Sequence, residues 1–424
     1  MLWRIFYQLL VIPAGWILFH LLALFDRKAA RGIRGRKGLL ARLEKQVALL
    51  QPERKRVWFH SSSMGEFEQA KPIIDELKKR RPDLEVVVTF FSPSGYEHSQ
   101  TYKSASIISY IPFDSASNAR RFIDLIRPSA AVMIRYDVWP NHLWALRRAG
   151  VPTFIANATL RSTTTRKLPL LKQFHRSMYE SIDYILAVSA EDKSTFDSFR
   201  LSHPVVEVIG DTRYDQVWLR SAQSRARQVL EPKILEGKNV LVIGSSWEGD
   251  EEALLPACLK LFRDHPEFLV ILVPHEPSLE TLERIEYELN GEVPSIRFSN
   301  LTQYRNEKII LIDVVGILMT LYRYAAVAYV GGSFGSGVHN VLEPAAYGIP
   351  ILFGPAHENS QEAMELVREG AAFVGRDQHD FYAHLRALLQ DPRRRSDAGG
   401  KAQALVCRNT GATERFLSYM EKVL

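Results

Sequence analysis

The chain has 424 residues, 46% hydrophobic and 24% charged, the composition of a globular protein with room for two domains of ordinary size. Its basic pI of about 9.1 comes from one short block. Residues 26–56 carry eleven Lys and Arg against three acids, which leaves the body from 57 to 424 slightly acidic. Nucleic acid is therefore excluded as the expected partner, since its binding needs positive charge on the folded domains themselves. The two cysteines, Cys258 and Cys407, lie far apart and show no partner pattern. A disulfide scaffold is excluded, and a reducing compartment fits.

The first element is the most apolar. Ile5 to Phe25 is 21 residues without a formal charge, interrupted only by Gln8 and His20 among strongly polar residues. As a helix it is about 31 Å long, which matches a bilayer core of about 30 Å. The run Asp26-Arg27-Lys28, then Arg31, Arg34, Arg36 and Lys37, places the following chain on the cytoplasmic side by the positive-inside rule. Leu24-Phe25-Asp26-Arg27 offers no small-residue cleavage site, so an anchor is expected rather than a signal peptide. A spanning anchor is the leading expectation. A helix lying in the interface is the alternative, because Pro13 and Gly15 weaken a straight span. In both cases the basic block faces anionic lipid, each charge contributing about 1 kcal/mol.

Beyond a basic helix over Leu39 to Leu50, short apolar runs alternate with amphipathic stretches. Val57–His60, Val86–Phe91, Ala130–Ile134, Thr153–Ala156 and Tyr184–Val188 read as buried strands, with a helix over Gly65–Arg80. Residues 213–238, rich in Arg, Gln and Ser, break the alternation and read as a passage between domains. The pattern restarts with Val240–Gly244, Phe268–Val273, Ile309–Ile312, Ala326–Val330 and Ile351–Phe353, interleaved with helices over Glu251–Phe262 and Ile317–Tyr324. Strands alternating with helices predict parallel sheets covered on both faces. The expected division is an anchor (1–25), a basic juxtamembrane helix (26–56), an N-terminal Rossmann-like domain (57–212), a linker (213–237), a second Rossmann-like domain (238–400) and a C-terminal helix (401–424) packing back on the first half. Ligands are expected in an interdomain cleft, at strand C-termini.

Several segments carry candidate chemistry. The stretch from Tyr329 to Pro344 joins a strand to a helix through a loop with four glycines, including Gly332 beside Ser333. Glycines let backbone N–H groups approach a phosphate, and Glu343 is placed to accept from ribose hydroxyls. The spacing is neither GxGxxG nor a P-loop, and a tight βα turn explains glycine alone equally well. In His60-Ser61-Ser62-Ser63-Met64-Gly65-Glu66, Glu66 sits in the first turn of a helix at a strand end. It is a candidate base, but with Ser63 it also makes a capping box, the reading that the residues alone favour. Asp137 ends another strand, where a cleft-facing acid and an N-cap before Pro140 compete. Arg213 lies at the domain passage, either as an anion partner or as a solvated hinge residue. His275 ends a strand of the second half. Arg161, Arg166 and Lys167 follow the strand ending near Ala156, either as phosphate contacts or as solvated loop charge. The sequence carries no HExxH, cysteine cluster, strand-end Asp-x-Asp or Gly-x-Ser-x-Gly, so metal and serine-hydrolase chemistry are not expected.

Read together, these motifs resemble the 3-deoxy-D-manno-octulosonic acid (Kdo) transferases over nearly the whole chain. They are the N-terminal anchor, His-x-x-Ser-x-Gly-Glu at 60–66, Thr89 to Gly95, Trp139-Pro140-Asn141, Ala156-Asn157-Ala158, Gly244-Ser245 with Glu248-Gly249, Val273-Pro274, Gly331 to Pro344 and Phe353-Gly354-Pro355. The resemblance implies an α/β GT-B fold and an inverting, metal-independent transfer of Kdo from CMP-Kdo to a lipid A precursor, with no further cofactor. It implies Glu66 as general base. It also implies Asp137 and Arg213 in transition-state stabilisation, where the family usually has Glu and Lys. The CMP site it implies comprises Pro274, His275, Gly316, Ile317, Leu318, Asn340, Val341, Leu342 and Glu343, and the family usually has Arg at 275. Two other readings remain compatible with the residues: a GT-B transferase with another nucleotide sugar and lipid acceptor, and a tethered nucleotide-sugar-binding protein without turnover.

Overall fold

Apolar β-branched runs of four to eight residues between helical stretches bury both faces of a strand, and parallel sheets result. A computed structural model of the chain describes residues 2–424. The first sheet contains β1 (Arg56–Ser61), β2 (Glu85–Phe90), β3 (Ile107–Tyr110), β4 (Ala130–Ile134), β5 (Thr153–Ala158), β6 (Tyr184–Ala187) and β7 (Val205–Val208). The second contains β8 (Asn239–Ser246), β9 (Phe268–Pro274), β10 (Ser295–Arg297), β11 (Ile309–Leu311), β12 (Val327–Val330), β13 (Ile351–Phe353) and β14 (Ala372–Val374). Both are seven-stranded, in the orders β3-β2-β1-β4-β5-β6-β7 and β10-β11-β9-β8-β12-β13-β14. Phe59 pairs with Val88 and with Val132, and Tyr329 with Ile243 and Leu352, all in parallel ladders.

The chain forms two compact units. One runs through Gln216 and takes back Thr410–Leu424; the other is Val217–Asn409. The stretch expected as an open linker is mostly helical, Thr212–Arg225 and then Pro232–Leu235, and the change of unit falls inside the first of these helices. The expected single C-terminal helix is two, Pro392–Arg408 and Ala412–Met420, parted at Gly411, whose φ of +94° suits glycine. The second of them belongs to the first unit. Phe416, Leu417 and Met420 join its core beside Phe154 and Leu186, and Asp215 accepts from the backbone N–H groups of Gly411 and Thr413.

The segment Trp3–Phe25 is helical and apolar enough to cross a membrane. Pro13 lacks the N–H that would reach Leu9, and just before it the helix widens into a π-type stretch, Tyr7–Val11. This helix touches its own unit near its two ends and is exposed between them. Trp3 and Tyr7 pack on Phe174, Tyr7 on Trp144, and Phe19 on Phe91 and Phe113. Tyr7 Oη–H donates to Asp114 at 2.7 Å, and Gln8 bonds Asn141. These are the contacts of a helix lying along a folded surface, with its outer side, Leu9, Leu10, Leu18, Leu21, Leu22 and Phe25, exposed. The length and apolar composition of the helix fit a membrane anchor. Part of the basic block is likewise structural. Arg36 is buried, donates to the carbonyls of Ile111, Gly32 and Phe91, and packs against Phe91, Tyr110 and Phe113. Burial lowers its pKa to about 10.

Asp114 gathers donors from two elements: Tyr7 Oη–H, and from helix Pro140–Arg148 the backbone N–H groups of Asn141 and His142 with His142 Nδ1 at 2.7 Å. Its replacement by Ala orphans these groups in the interior and is expected to cost about 3 kcal/mol or more, against about 1 kcal/mol for Tyr7→Phe, which removes one bond and keeps the ring. Urea unfolding in detergent checks the order of the two.

Candidate functional site

In the first sheet the strand order reverses between β1 and β4, and the loops leaving these two strands carry the candidate acids. Such a reversal opens a crevice at the strand ends, because successive helices depart over opposite faces. Helix Met64–Arg80 packs on the face bearing Val57 and Phe59, while helix Pro140–Arg148 packs on the face bearing Trp58. Glu66 stands in the first turn of Met64–Arg80. Its Oε2 accepts from the N–H groups of Ser62 at 2.6 Å and Ser63 at 3.2 Å, and Ser63 Oγ accepts from Glu66 N–H. The capping box is therefore real, yet it occupies one carboxylate oxygen and leaves Oε1 uncommitted among the described residues. Burial raises the Glu66 pKa above its ordinary 4.5, and the nearby charge of Asp137 adds to the rise.

Asp137 does not cap the next helix. Trp139 takes the N-cap position of Pro140–Arg148, and Asp137 Oδ2 is buried without a hydrogen-bond partner. It lies 3.4 Å from His60 Nε2, but that nitrogen already accepts from Trp139 Nε1–H at 2.9 Å. His60 Nδ1 then carries the proton and faces Thr89 Oγ1 at 2.9 Å. The buried imidazole is thus neutral and cannot pair with the Asp137 charge. Glu66 thus keeps one unclaimed oxygen, while the unpartnered oxygen of Asp137 is enclosed against His60.

Arg213 is held by its neighbour: Nε and a terminal nitrogen lie 2.8 Å from Asp211 Oδ2. Its helix is tied to Met64–Arg80 through Thr212, whose Oγ1 donates to Gln69 O and accepts from Asn157 Nδ2, both at 2.6 Å. Asn157, at φ +51°, holds the left-handed conformation this clamp requires. Arg166 donates to Tyr179 Oη at 2.9 Å and lies over the Tyr136 ring. Arg161 is exposed in the same loop, and Lys167 closes its short helical turn, Thr165–Lys167.

In the second unit the order reverses between β8 and β12, and a pocket of about 330 Å³ opens there. Gly316, Leu318, Asn340 and Glu343, all expected from the sequence, line it. Arg220, Ser245, Tyr322 and His339 also line it and were not expected. Asn340 Nδ2 donates to Glu343 Oε1 at 3.2 Å. Pro274 is buried as the last residue of β9, Ile317 precedes the one-turn helix Leu318–Leu321, and Val341 and Leu342 face the interior.

The glycine loop is shaped by close approach. A Cβ on Gly331 would meet Ser245 O at 2.2 Å, and one on Gly332 would meet Gly337 O at 2.5 Å. Its amides serve the fold: Gly332 N–H bonds Asp250 at 2.8 Å, while those of Gly335 and Gly337 bond Gly332 O at 3.0 and 3.1 Å. Ser333 is buried, its Oγ accepting from Gly354 N–H. The expected cradle of free N–H groups is therefore not what these glycines provide. The buried Asp250 also accepts from Trp247 N–H and Tyr329 Oη–H. No local signal marks it, because its partners in the loop lie about eighty residues downstream.

The profile described as 3-Deoxy-D-manno-octulosonic-acid transferase (kdotransferase) matches residues 33–216. A 3-deoxy-D-manno-octulosonic acid transferase of Haemophilus influenzae is 25% identical, covering 100% of this chain and 99% of its own. That of Bordetella pertussis is 28% identical over 86% of each. Among solved structures, a putative UDP-N-acetylglucosamine 2-epimerase from Listeria monocytogenes superposes with a TM-score of 0.61 at 14% identity, covering 87% of this chain and 96% of that one. This last likeness is one of fold, and the fold is GT-B.

The folded protein holds the Glu66 proton more tightly than the unfolded chain. Stability therefore declines as pH rises from 4.5 toward the raised value. Asp137→Asn removes the like charge and should narrow that window, whereas Glu66→Gln should abolish this component. Urea midpoints measured across the acidic range check both; a decline that persists in Glu66→Gln assigns it to another group.

Proposed function

Because the chain belongs to the 3-deoxy-D-manno-octulosonic acid transferase family and is a glycosyltransferase, we propose that it moves Kdo from CMP-Kdo to a hydroxyl of a lipid A precursor. The transfer is a single, metal-independent displacement with inversion. The acceptor oxygen forms a bond to the anomeric carbon, the bond from that carbon to the phosphate oxygen breaks, CMP leaves with the electron pair, and the acceptor proton passes to Glu66.

The observation that supports this most directly is the divided carboxylate of Glu66. Oε2 is fixed by two backbone donors, so the side chain is oriented before substrate arrives; Oε1 is left to take a proton. Its raised pKa moves it toward the operating pH, where a general base is most effective. Asp137 acts through its charge, which helps to raise the Glu66 pKa. Arg213, aligned by Asp211, offsets charge developing at the reacting centre. In the second unit, Glu343 and Asn340 accept from and donate to ribose hydroxyls, and Arg220 supplies a fixed positive charge for the donor. The apolar helix and the remaining basic block hold the enzyme on anionic lipid at the cytoplasmic face of the inner membrane, where an amphiphilic acceptor is concentrated. Arg161, Arg166 and Lys167, beside the exposed Leu168, Leu170 and Leu171, meet the acceptor's phosphate.

Glu66→Gln should lower kcat by roughly 10²- to 10⁴-fold while CMP still raises the melting temperature of the variant as it does that of the parent. Unchanged turnover with CMP-Kdo and lipid A precursor, followed by product mass, removes Glu66 from the mechanism. Reversing the charges of Arg161, Arg166 and Lys167 together should raise the KM for acceptor well above any change for donor; equal effects would remove that loop from acceptor recognition.

A further inference from the structure

Tyr322 carries a hydroxyl that the fold of the second unit does not use. The residue follows the one-turn helix Leu318–Leu321, is 1% exposed, and belongs to a core cluster with Val242, Ile310 and Ala328. Its hydroxyl has no hydrogen-bond partner among the described residues. A core position that needs only an aromatic ring is served by Phe, whereas a buried hydroxyl left unpaired opposes folding.

The surroundings of that hydroxyl place it at the pocket. A Cβ on Gly244 would meet Tyr322 Oη at 2.1 Å and Leu318 Cδ1 at 3.1 Å. Gly244 is not among the glycines of positive φ, so close approach rather than backbone conformation requires glycine there. The hydroxyl therefore lies against the end of β8, where Ser245, Leu318 and Tyr322 itself line the pocket together with Glu343. His275, exposed beyond the end of β9 and stacked on the Trp247 ring at 4.5 Å, does not line it. Burial, and then the charge of Glu343, raises the Tyr322 pKa well above the ordinary value, so the group stays a donor throughout the working pH range. Glu343 is an acceptor, and its Oε1 already takes Asn340 Nδ2–H at 3.2 Å.

The pocket wall thus offers a proton from the phenol and lone pairs from the carboxylate. A phosphate suits this pair poorly, because the carboxylate repels it. A base carbonyl uses the phenol alone, and a base amino group uses the carboxylate alone. A sugar hydroxyl uses both through one oxygen, giving its own proton to one group and accepting the proton of the other.

We propose that Tyr322 and Glu343 hold one ribose hydroxyl of the nucleotide from two sides, and that Tyr322 thereby makes the pocket prefer ribonucleotides to deoxyribonucleotides. This rests on the donor assignment made above. The phenol is fixed by its packed ring and has been stripped of water by folding, so the ligand hydroxyl meets a donor already oriented and desolvated. No covalent bond changes, and no proton leaves either group.

Tyr322→Phe keeps the ring and should unfold at the same urea concentration as the parent or at a higher one. Calorimetry of the full-length protein in detergent then compares CMP with its 2′-deoxy and 3′-deoxy analogues. The parent should bind one of the two analogues at least about tenfold more weakly than CMP, because Glu343 loses a donor as well. Tyr322→Phe should bind CMP about three- to tenfold more weakly than the parent does, yet bind that same analogue as the parent does. An unchanged affinity for CMP, a weakening that persists with both analogues, parent binding of both analogues as tight as that of CMP, or a lowered urea midpoint overturns the inference and leaves the donor assignment standing. A parent that binds no CMP overturns the donor assignment, and the inference with it.

Discussion

Each sheet reverses its strand order once, and candidate site residues gather at the two points where it does. Right-handed crossovers on either side of such a point send their helices over opposite faces, so the strand ends there are left uncovered. In the first sheet the exits of β1 and β4 deliver Glu66 and Asp137. In the second, the exits of β8 and β12 come so close that Gly331 sits against the Ser245 carbonyl, and a Cβ on Gly244 would meet Tyr322 Oη at 2.1 Å. Ser245 itself adopts φ +54°, a conformation that non-glycine residues hold only when their surroundings enforce it. The glycines of this region are thus required by backbone crowding before any ligand is considered.

Much of the architecture was legible because buried parallel strands are apolar on both faces. The strands read from the sequence as apolar runs are present within a residue or two at most ends. Those that went unread, β3, β7, β10 and β14, are three or four residues long, too short for periodicity to separate from a loop, and β7 is an edge strand with Val205 and Val208 exposed. Helix Thr212–Arg225 read as a linker because its polar face, rich in Arg, Gln and Ser, hides a narrow buried one carried by Tyr214, Val217 and Ser221. At the sites, residues next to recognisable strand ends were found. Asp250, Trp247 and Arg220 were not, since what places them is contact with a loop or wall eighty or more residues along the chain, or mere proximity to a cavity, and neither leaves a local pattern.

Two readings of Glu66 competed in the sequence, and its two oxygens reconcile them. The cap lowers the cost of the helix start and fixes the carboxylate with two short backbone bonds. Those bonds favour the charged form; burial and Asp137 disfavour it, and they prevail. A side chain already ordered by its own backbone loses little entropy when it meets a substrate, so the cap is part of what makes the free oxygen useful.

The apolar N-terminal helix is joined to this same loop. Tyr7 and Gln8 reach Asp114 and Asn141, and Asp114 in turn accepts from the first turn of helix Pro140–Arg148. The residue before that helix, Trp139, bonds His60, which lies against Asp137. A few hydrogen bonds therefore connect the apolar helix to His60, which touches Asp137, without passing through a flexible linker. On the membrane reading proposed above, this fixes how far the carboxylates stand from the leaflet surface. An acceptor that stays in the leaflet then needs its reacting hydroxyl at one height, and a helix lying along the unit sets that height more rigidly than a span joined by a mobile tether.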